Sequence, residues 1–226
     1  MVIGALADVH GNFDAMAAAM ARHPEVPVWL CVGDLASRHG TYPEPSAPLY
    51  WIKGNNEAFD RIAAWEGGAA QPRHLHFIRN GTAVTAGPLR VAGLGGTFAP
   101  TWFDTPAADL PHTPRDDKRR HFVREEAEAC TALGAVDILM THEAARPFIV
   151  VDEPAPGARP RRRDAGKPAI NEVLAVLKPR LHLCGHHHRF AETEREGVPS
   201  VCIDRVNRSY LLIDAATLAY EKVDQP

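Results

Sequence analysis

Short apolar runs that each end in a cluster of Asp, Asn or His recur along this 226-residue chain. Runs of this length, rich in Val, Ile, Leu and Ala, are typical of buried β-strands. Helical patterns lie between several of them, and the first begins after Asn12, a predicted helix N-cap. In an α/β sheet the carboxyl ends of parallel strands share one edge, so polar residues far apart in the sequence can meet there. The runs, each with the polar residues that follow it, are 2–7 with Asp8 and His10, 27–32 with Asp34, 49–53 with Asn55, 136–140 with His142, and 181–184 with His186 and His188.

Strands that alternate with helices predict an α/β fold, arranged as a four-layer αββα sandwich of two mixed β-sheets flanked by helices. Alternating apolar and polar residues at 200–203, 209–213 and 218–223 predict that the C-terminal part forms a second, largely antiparallel sheet. A helix is predicted over residues 119–133, and the Pro-, Gly- and Arg-rich segment 150–168 is predicted to be a mobile loop. Because no repeat, low-complexity tract or linker interrupts the pattern, residues 1–226 are predicted to form a single domain.

The balance of 25 basic and 28 acidic residues gives a net charge of −3, which argues against binding to nucleic acid or membranes through the overall field. No apolar run approaches the roughly 20 residues of a membrane span, and residues 1–8 lack the basic start of a secretory signal. The four scattered cysteines form no Cys-x-x-Cys pair, which favours a reducing compartment. We therefore expect a cytoplasmic protein that makes no membrane contact. Nothing in the sequence indicates an obligate protein partner.

Carboxylate oxygens and imidazole nitrogens are combined at the predicted strand ends, and the chain has 12 histidines in all. This mixture suits borderline divalent ions such as Mn, Fe, Co, Ni or Zn, whereas calcium prefers oxygen ligands alone and structural zinc prefers thiolates. The candidate side chains are too many for one ion. The sequence therefore predicts two divalent transition metal ions that share a bridging carboxylate, as in two-metal hydrolysis.

The same clusters resemble the signature of the calcineurin-like metallophosphoesterases, in the same order along residues 2 to about 190. The matching blocks are Asp8-Val9-His10, Gly33-Asp34, Gly54-Asn55-Asn56-Glu57, His142 and Gly185-His186-His187-His188. The resemblance implies two ligand sets that share Asp34 as the bridge: Asp8, His10, Asp34 and His188 for one ion, and Asp34, Asn55, His142 and His186 for the other. It also implies that Mn²⁺ is the favoured ion and that a metal-bridging hydroxide attacks a phosphate ester in line.

One position departs from the family signature. Asn56 stands where the family has the histidine that contacts the phosphate and protonates the leaving oxygen. An amide can hydrogen-bond a phosphate oxygen but cannot deliver a proton, so we expect Asn56 to orient the phosphate. Either the leaving group needs no proton, or His187 or His39 supplies one. The departure also leaves open a low-turnover module that binds metal or phosphate.

Residues 50–58, 75–78 and 89–97 also resemble the catalytic domain of RNA lariat debranching enzymes in the same superfamily. This resemblance implies a phosphodiester substrate, with a nucleotide or RNA among the candidates.

A further alternative is a monoesterase like the Ser/Thr phosphoprotein phosphatases, in which Arg38 would bind phosphate, although Ser37-Arg38-His39 replaces their Asp-Arg-Gly triplet. The arginines within 159–163, together with Lys167, are either a solvated loop or a contact for a polyanion.

Overall fold

Two six-stranded β-sheets and four α-helices form the main elements of the computed structural model, which describes residues 1–113, 115–152 and 161–225. The helices are α1 (Phe13–Arg22), α2 (Phe59–Glu66), α3 (Arg124–Thr131) and α4 (Pro168–Leu177). The strands in chain order are β1 (Val2–Leu6), β2 (Trp29–Cys31), β3 (Leu49–Trp51), β4 (Leu75–Phe77), β5 (Thr82–Ala86), β6 (Leu89–Leu94), β7 (Thr97–Phe98), β8 (His112–Thr113), β9 (Asp116–Asp117), β10 (His121–Phe122), β11 (Ile138–Thr141), β12 (Ile149–Asp152), β13 (Arg161–Asp164), β14 (Leu181–Cys184), β15 (Ala191–Arg195), β16 (Val198–Cys202), β17 (Ser209–Asp214) and β18 (Tyr220–Asp224).

Each sheet contains a block of parallel strands with antiparallel strands at its margins. The first sheet has the order β18-β17-β1-β2-β3-β4, and β1 to β4 run parallel. The second has the order β15-β16-β14-β11-β6-β5, and β6, β11, β14 and β16 run parallel. Each parallel block therefore presents its carboxyl ends at one edge of its sheet, which is where ligands bind in α/β folds.

Alternation along the central strands divides their side chains between separate apolar layers. Ile3 and Leu30 of the first sheet pack with Met140 and Leu183 of the second in one buried cluster between the sheets. On the outer face of the first sheet, Trp29 packs with residues of α1 and α2. Residues of α3 and α4 cover the outer face of the second sheet in the same way. This order of helices, sheet, sheet and helices confirms the predicted four-layer αββα fold.

The C-terminal strands do not form a separate second sheet, so this part of the prediction is wrong. Strand β16 pairs in parallel with β14 inside the second sheet, whereas β17 pairs antiparallel with β1 and extends the first sheet. Alternation identifies a half-buried strand but does not specify its neighbour, because strand pairing depends on contacts distant in the sequence.

Two local predictions also change. The helix predicted over 119–133 begins only at Arg124, because the chain is extended at Val123, whose backbone N–H donates to the Glu126 carboxylate at 3.0 Å. The segment 150–168, predicted as a mobile loop, contributes to β12 and β13, which pair antiparallel, and to the start of α4 at Pro168. Its residues 153–160 lie outside the described part of the chain. Among the described residues, no helix is long and apolar enough to cross a membrane.

Candidate metal centre

The loops that follow five parallel strands meet at one place, at the carboxyl ends of both sheets. These strands and the residues that follow them are β1 with Asp8 and His10, β2 with Asp34, β3 with Asn55, β11 with His142, and β14 with His186 and His188. Backbone hydrogen bonds join the loops. The Asp8 N–H donates to the Gly33 carbonyl at 3.1 Å, and the Gly185 N–H donates to the His142 carbonyl at 3.0 Å. Residues separated by most of the chain are therefore held in one cluster.

One group of ligand atoms belongs to Asp8, His10 and His188, and these atoms all lie within 4.8 Å of one another. The Nε2 atoms of His10 and His188 are 3.1 Å apart, and His188 Nε2 lies 3.5 Å from Asp8 Oδ1. Asp8 is buried, whereas the two imidazoles are partly open to solvent. The other oxygen of Asp8 accepts the His186 N–H at 2.8 Å, which leaves Oδ1 facing the two imidazoles.

A second group belongs to Asp34, His142 and His186, again with all ligand atoms within 4.8 Å of one another. His142 Nε2 lies 3.2 Å from His186 Nδ1 and 3.0 Å from Asn55 Oδ1. The opposite ring nitrogen of His142 lies 2.9 Å from the Val32 carbonyl oxygen. Because a carbonyl only accepts, Nδ1 carries the proton of the neutral ring, and Nε2 presents its lone pair to the centre.

Asp34 lies between the two groups. Its Oδ1 is 3.5 Å from His142 Nε2, and its Oδ2 is 3.6 Å from His10 Nε2. Asp34 therefore presents one carboxylate oxygen to each group of candidate ligands.

Tight backbone turns make this convergence possible. Asp8, Asp34 and His188 have φ angles of 49°, 54° and 50°, a left-handed region that residues other than glycine rarely enter. Glycine is required where the carboxylates approach the backbone: a Cβ on Gly54 would lie 2.0 Å from Asp34 Oδ1, and one on Gly185 would lie 2.7 Å from Asp8 Oδ2. Backbone strain of this kind concentrates at functional sites.

Burial and charge oppose each other at this centre. Burial alone would raise the pKa of Asp34, but the charge of His142 and the hydrogen bonds from Asn56 outweigh it and hold the pKa below its usual value. Burial would likewise lower the pKa of His142, but Asp34 and Asp8 raise it. Burial, assisted by His142, lowers the pKa of His186 to about 4. The second group thus contains an ionised carboxylate and at least one neutral imidazole, which are the protonation states of metal ligands.

One buried atom shows that a divalent cation fits these donors. Asp8 Oδ1 is buried and has no hydrogen-bond partner among the residues that the structure describes, and an uncompensated carboxylate oxygen is costly to bury. It lies 3.5 Å from Nε2 of His188 and 3.9 Å from Nε2 of His10. A cation held by these three residues would satisfy that oxygen. Carboxylate and imidazole donors together suit a borderline transition metal ion.

Asn56 holds the Asp34 carboxylate, and Glu57 holds the backbone that follows Asp34. Asn56 donates its backbone N–H to Asp34 Oδ1 and its side-chain Nδ2 to Asp34 Oδ2, each at 2.8 Å. Glu57 accepts the Leu35 N–H and the Tyr42 hydroxyl, both at 2.9 Å, and burial raises its pKa to about 7. The sequence pattern places Glu57 in the motif but does not assign it this supporting contact.

Arg38 and His39 differ in their relation to the centre. A pocket of about 380 Å³ opens beside the ligands, and Arg38 lines it together with His10, Ser37, Asn55 and Asn56, among others. His39 is exposed, does not line this pocket, and accepts a hydrogen bond from Arg38 Nε at 2.9 Å. The structure therefore brings Arg38 and Asn56 to the centre but does not bring His39 there.

His187 lies beside the ligand histidines but packs against the protein. Its ring stacks on Phe148 with a centroid distance of 4.4 Å and an interplanar angle of 23°. Burial, with a smaller contribution from His186, lowers the pKa of His187 to about 3. An imidazole with so low a pKa is neutral near pH 7, which argues against its use as a proton donor.

Glu143 is a buried contact of the centre that the sequence pattern did not assign. Its Oε1 lies 3.7 Å from His186 Nε2 and 3.2 Å from Lys167 Nζ, and its other oxygen accepts the Phe98 N–H. Because His186 presents Nδ1 to His142, Glu143 supports the opposite side of the same ring. The available signal in the sequence was its place directly after His142 in the polar cluster that ends β11.

A sequence model described as calcineurin-like phosphoesterase matches residues 1–190, which include every candidate ligand. The chain belongs to the calcineurin-like phosphoesterase family. Calcineurin-like phosphoesterases are hydrolases of phosphate esters, and the two groups of ligand atoms give this member candidate sites for divalent ions.

Similar proteins support the same superfamily. The lariat debranching enzyme of Schizosaccharomyces pombe is 22% identical over 193 residues, which cover 80% of this chain and 42% of that protein. The chain thus spans less than half the length of this curated relative. TT1561 of Thermus thermophilus has a TM-score of 0.63 at 14% identity, and the match covers 99% of this chain and 98% of that protein. GAP50, the anchor in the inner membrane complex of Plasmodium, has a TM-score of 0.53 at 10% identity, with coverage of 100% and 89%. The two structural similarities show that this chain shares its fold with proteins of very different sequence.

Proposed function

We propose that this chain is a binuclear metal-dependent phosphoesterase whose substrate is a phosphodiester. The observation that carries the proposal is the position of Asp34, with one carboxylate oxygen toward each group of ligands. The two ligand sets would be Asp8, His10, Asp34 and His188, and Asp34, Asn55, His142 and His186. Mn²⁺ is the favoured ion, and Fe, Zn, Co or Ni would suit the same donors. When bound, such ions activate water and neutralise charge on the phosphoryl oxygens.

The protein's own groups orient the reacting phosphate and hold the bridge. Asn56 fixes both oxygens of Asp34 through two hydrogen bonds and also lines the pocket beside the centre. The exposed guanidinium of Arg38 lines the same pocket, where it can donate to a phosphate oxygen. These contacts restrict both the carboxylate and the ester to one arrangement before reaction.

Position 56 is an asparagine and not the histidine of the family signature, and this restricts which leaving groups the chain can expel. Asn56 has no acidic proton, and His187 is neutral near pH 7. General acid catalysis is worth about 10²–10⁴ in rate, and its loss matters most for alkoxide leaving groups. We therefore propose an ester whose leaving oxygen departs without protonation. The relationship to a lariat debranching enzyme supports a nucleotide or RNA phosphodiester as the substrate class.

Asn56 also favours a second candidate function, a low-turnover module that binds metal or phosphate. Six candidate ligand side chains lie in two groups, which supports ion binding, but an amide stands where the family has its proton-donating histidine. The fold is shared with GAP50, which is described as an anchor. Such a module would load ions without hydrolysing an ester.

A panel of phosphate esters in the presence of Mn²⁺ tests the proposal. The substrates are a 2′,5′-linked RNA, a bis-aryl diester, an aryl monoester and a phosphoserine peptide, assayed together with the metal content per chain. We expect diester hydrolysis and about two ions per chain, both reduced in Asp34→Ala. Asp14→Ala, at an exposed carboxylate of α1, is the matched control and should change neither.

Each alternative has its own outcome in this panel. Full activity of metal-free protein would contradict the binuclear proposal. Preference for the phosphoserine peptide would favour the protein phosphatase alternative. Metal-loaded protein that is silent on every ester, and becomes active in Asn56→His, would favour the binding module.

We further propose a single domain over residues 1–226 and a cytoplasmic location. Strand β1, near the N-terminus, pairs with β17, near the C-terminus, so both ends of the chain contribute to one sheet. All four cysteines are buried free thiols, which suits a reducing compartment.

A further inference from the structure

A second pocket, of about 210 Å³, lies beside His10 and is not used by the function proposed above. Its lining residues are Asp8, Val9, His10, Asn12, Arg205 and Asn207. His10 lines this pocket and also the larger one that contains Arg38. The candidate metal centre therefore borders two pockets, each with one arginine, and a substrate at the centre can extend into both.

The backbone at Arg205 is anchored beside the first group of ligands. Arg205 forms an isolated parallel bridge with Ala7, and the Val206 N–H donates to the Ala7 carbonyl at 3.0 Å. The Arg208 N–H closes the following turn by donating to the Arg205 carbonyl at 2.8 Å. Because Ala7 directly precedes Asp8, this pairing holds Arg205 next to a metal ligand.

The Arg205 side chain is exposed, and its guanidinium makes no hydrogen bond or ion pair with the residues that the structure describes. The nearby carboxylate of Asp204 accepts the Arg205 backbone N–H and pairs with Arg208 at 3.8 Å. Arg205 and His10 line the same pocket, so this arginine borders the first group of ligands. The Arg205 guanidinium thus lies beside the candidate metal centre, and its N–H groups can donate to a ligand.

The amides in the pocket are also donors. Asn12 Oδ1 accepts the Ala15 N–H at 3.3 Å as the cap of α1, which leaves the Asn12 NH₂ group for a ligand. The one lining carboxylate, Asp8, has an oxygen committed to the His186 N–H and the other facing the imidazoles of its group. A guanidinium and amide donors at the start of a helix together favour an anion.

We infer that Arg205, with Asn12 and Asn207, binds the phosphate adjacent to the reacting phosphodiester, so that the substrate class is a nucleotide chain with a second phosphate. This inference rests on the proposed function, because the reacting ester must lie at the metal centre. Arg205 is then a specificity residue: it selects the neighbouring anion and does not contact the reacting bond.

Two substrates with the same reacting bond test this in the Mn²⁺-loaded protein. They are thymidine 5′-(p-nitrophenyl phosphate) and its 3′-phosphorylated derivative. We expect the 3′-phosphate to raise kcat/KM by about tenfold or more, as a hydrogen bond to a charged group does, and Arg205→Ala to abolish this preference. Arg205→Ala should lower kcat/KM for the 3′-phosphorylated substrate by about tenfold more than for the substrate that lacks this phosphate. Arg208→Ala removes a neighbouring exposed arginine and should keep the preference.

A binding measurement separates failure of this inference from failure of the proposed function. Calorimetry on the Mn²⁺-loaded protein compares thymidine 3′,5′-bisphosphate with thymidine 5′-monophosphate. We expect Arg205→Ala to weaken binding of the bisphosphate by about tenfold and to leave the affinity for the monophosphate unchanged. If no ester is hydrolysed but this difference holds, the phosphoesterase proposal fails and the anion pocket stands. If Arg205→Ala affects both ligands equally, or neither, the inference is overturned.

Discussion

Asn56 donates two hydrogen bonds to Asp34, one from its backbone N–H and one from its side-chain amide. The amide has no proton that it could release near neutral pH. Its contribution at the residue scale is therefore positional. Asp34 in turn faces His10 with one oxygen and His142 with the other. An amide at this position holds the Asp34 carboxylate but offers no acidic proton.

Replacing Asn56 by histidine adds an acid beside the centre. For a phosphodiester with an alkoxide leaving group, we expect kcat to rise by about 10²-fold or more, because general acid catalysis assists poor leaving groups most. A p-nitrophenyl diester should gain little. Asn56→Ala is the control, since it removes the side-chain hydrogen bond to Asp34 without adding an acid. An equal gain on both leaving groups would contradict this role.

Glu143→Gln tests whether the Glu143 carboxylate orients the His186 ring through its Nε2 atom. Loss of the negative charge 3.7 Å from His186 Nε2 should loosen the ring and lower its basicity. We expect the affinity for Mn²⁺ to fall by about 10- to 100-fold, as for other groups that orient metal-ligating histidines. Competition with a chelator measures this directly. Glu172→Gln, on the exposed face of α4, should leave the affinity as in the wild type.

At the scale of elements, a buried histidine joins three strands of the second sheet behind the centre. His182 of β14 is fully buried, with Nε2 2.8 Å from the Thr141 hydroxyl of β11 and Nδ1 3.1 Å from the Ser200 hydroxyl of β16. These contacts hold together the strands that lead to His142 and His186. The sequence pattern did not assign His182 a role, because it lies inside an apolar run.

Burial lowers the pKa of His182 from 6.5 to about 3. Between these two pH values the unfolded chain binds a proton at this residue, whereas the folded chain does not. The contribution of His182 to the free energy of unfolding is therefore present above pH 6.5 and is lost as the pH falls toward 3. In this range His182 lowers the free energy of unfolding by about 1.4 kcal/mol for each unit that the pH falls. We expect metal-free His182→Gln to show a correspondingly flatter decline of unfolding free energy, measured with denaturant at several pH values. Parallel curves for the two proteins would refute this assignment.

At the scale of the whole molecule, the candidate centre lies where two sheets meet, at the end of the apolar layer between them. Asp8, His10, Asp34 and Asn55 follow strands of the first sheet, while His142, His186 and His188 follow strands of the second. An ion held from both sides exists only when the sheets are packed together. Metal binding should therefore be coupled to the stability of the entire fold.

Unfolding with and without Mn²⁺ measures this coupling. An ion that binds only the folded chain stabilises it by about 2.7 kcal/mol at a free concentration of 100 times Kd. We expect a gain of this size in the wild type and in Asp14→Ala, and a much smaller gain in Asp34→Ala. Chelation should reverse it. Equal stabilisation of Asp34→Ala would mean that the ions bind elsewhere.

Several features of the fold could be predicted from local patterns. The apolar runs before Asp8, Asp34 and His142 are strands, and the capping of α1 by Asn12 is confirmed, because both signals lie within a few residues. The assignment of the C-terminal strands to one separate sheet failed. Alternation shows that such a strand has a buried face, but its neighbour is chosen by residues elsewhere in the chain.

The amino-acid sequence by itself determined the strands, the family and the chemistry of the donors, because ligand type and strand pattern are local properties. Only the tertiary structure decided that Asn56 holds both oxygens of Asp34, that Glu143 lies behind His186 and that Arg205 lies beside His10. These relations join residues that are distant along the chain. They come into being when the two sheets pack and the ends of their parallel strands meet.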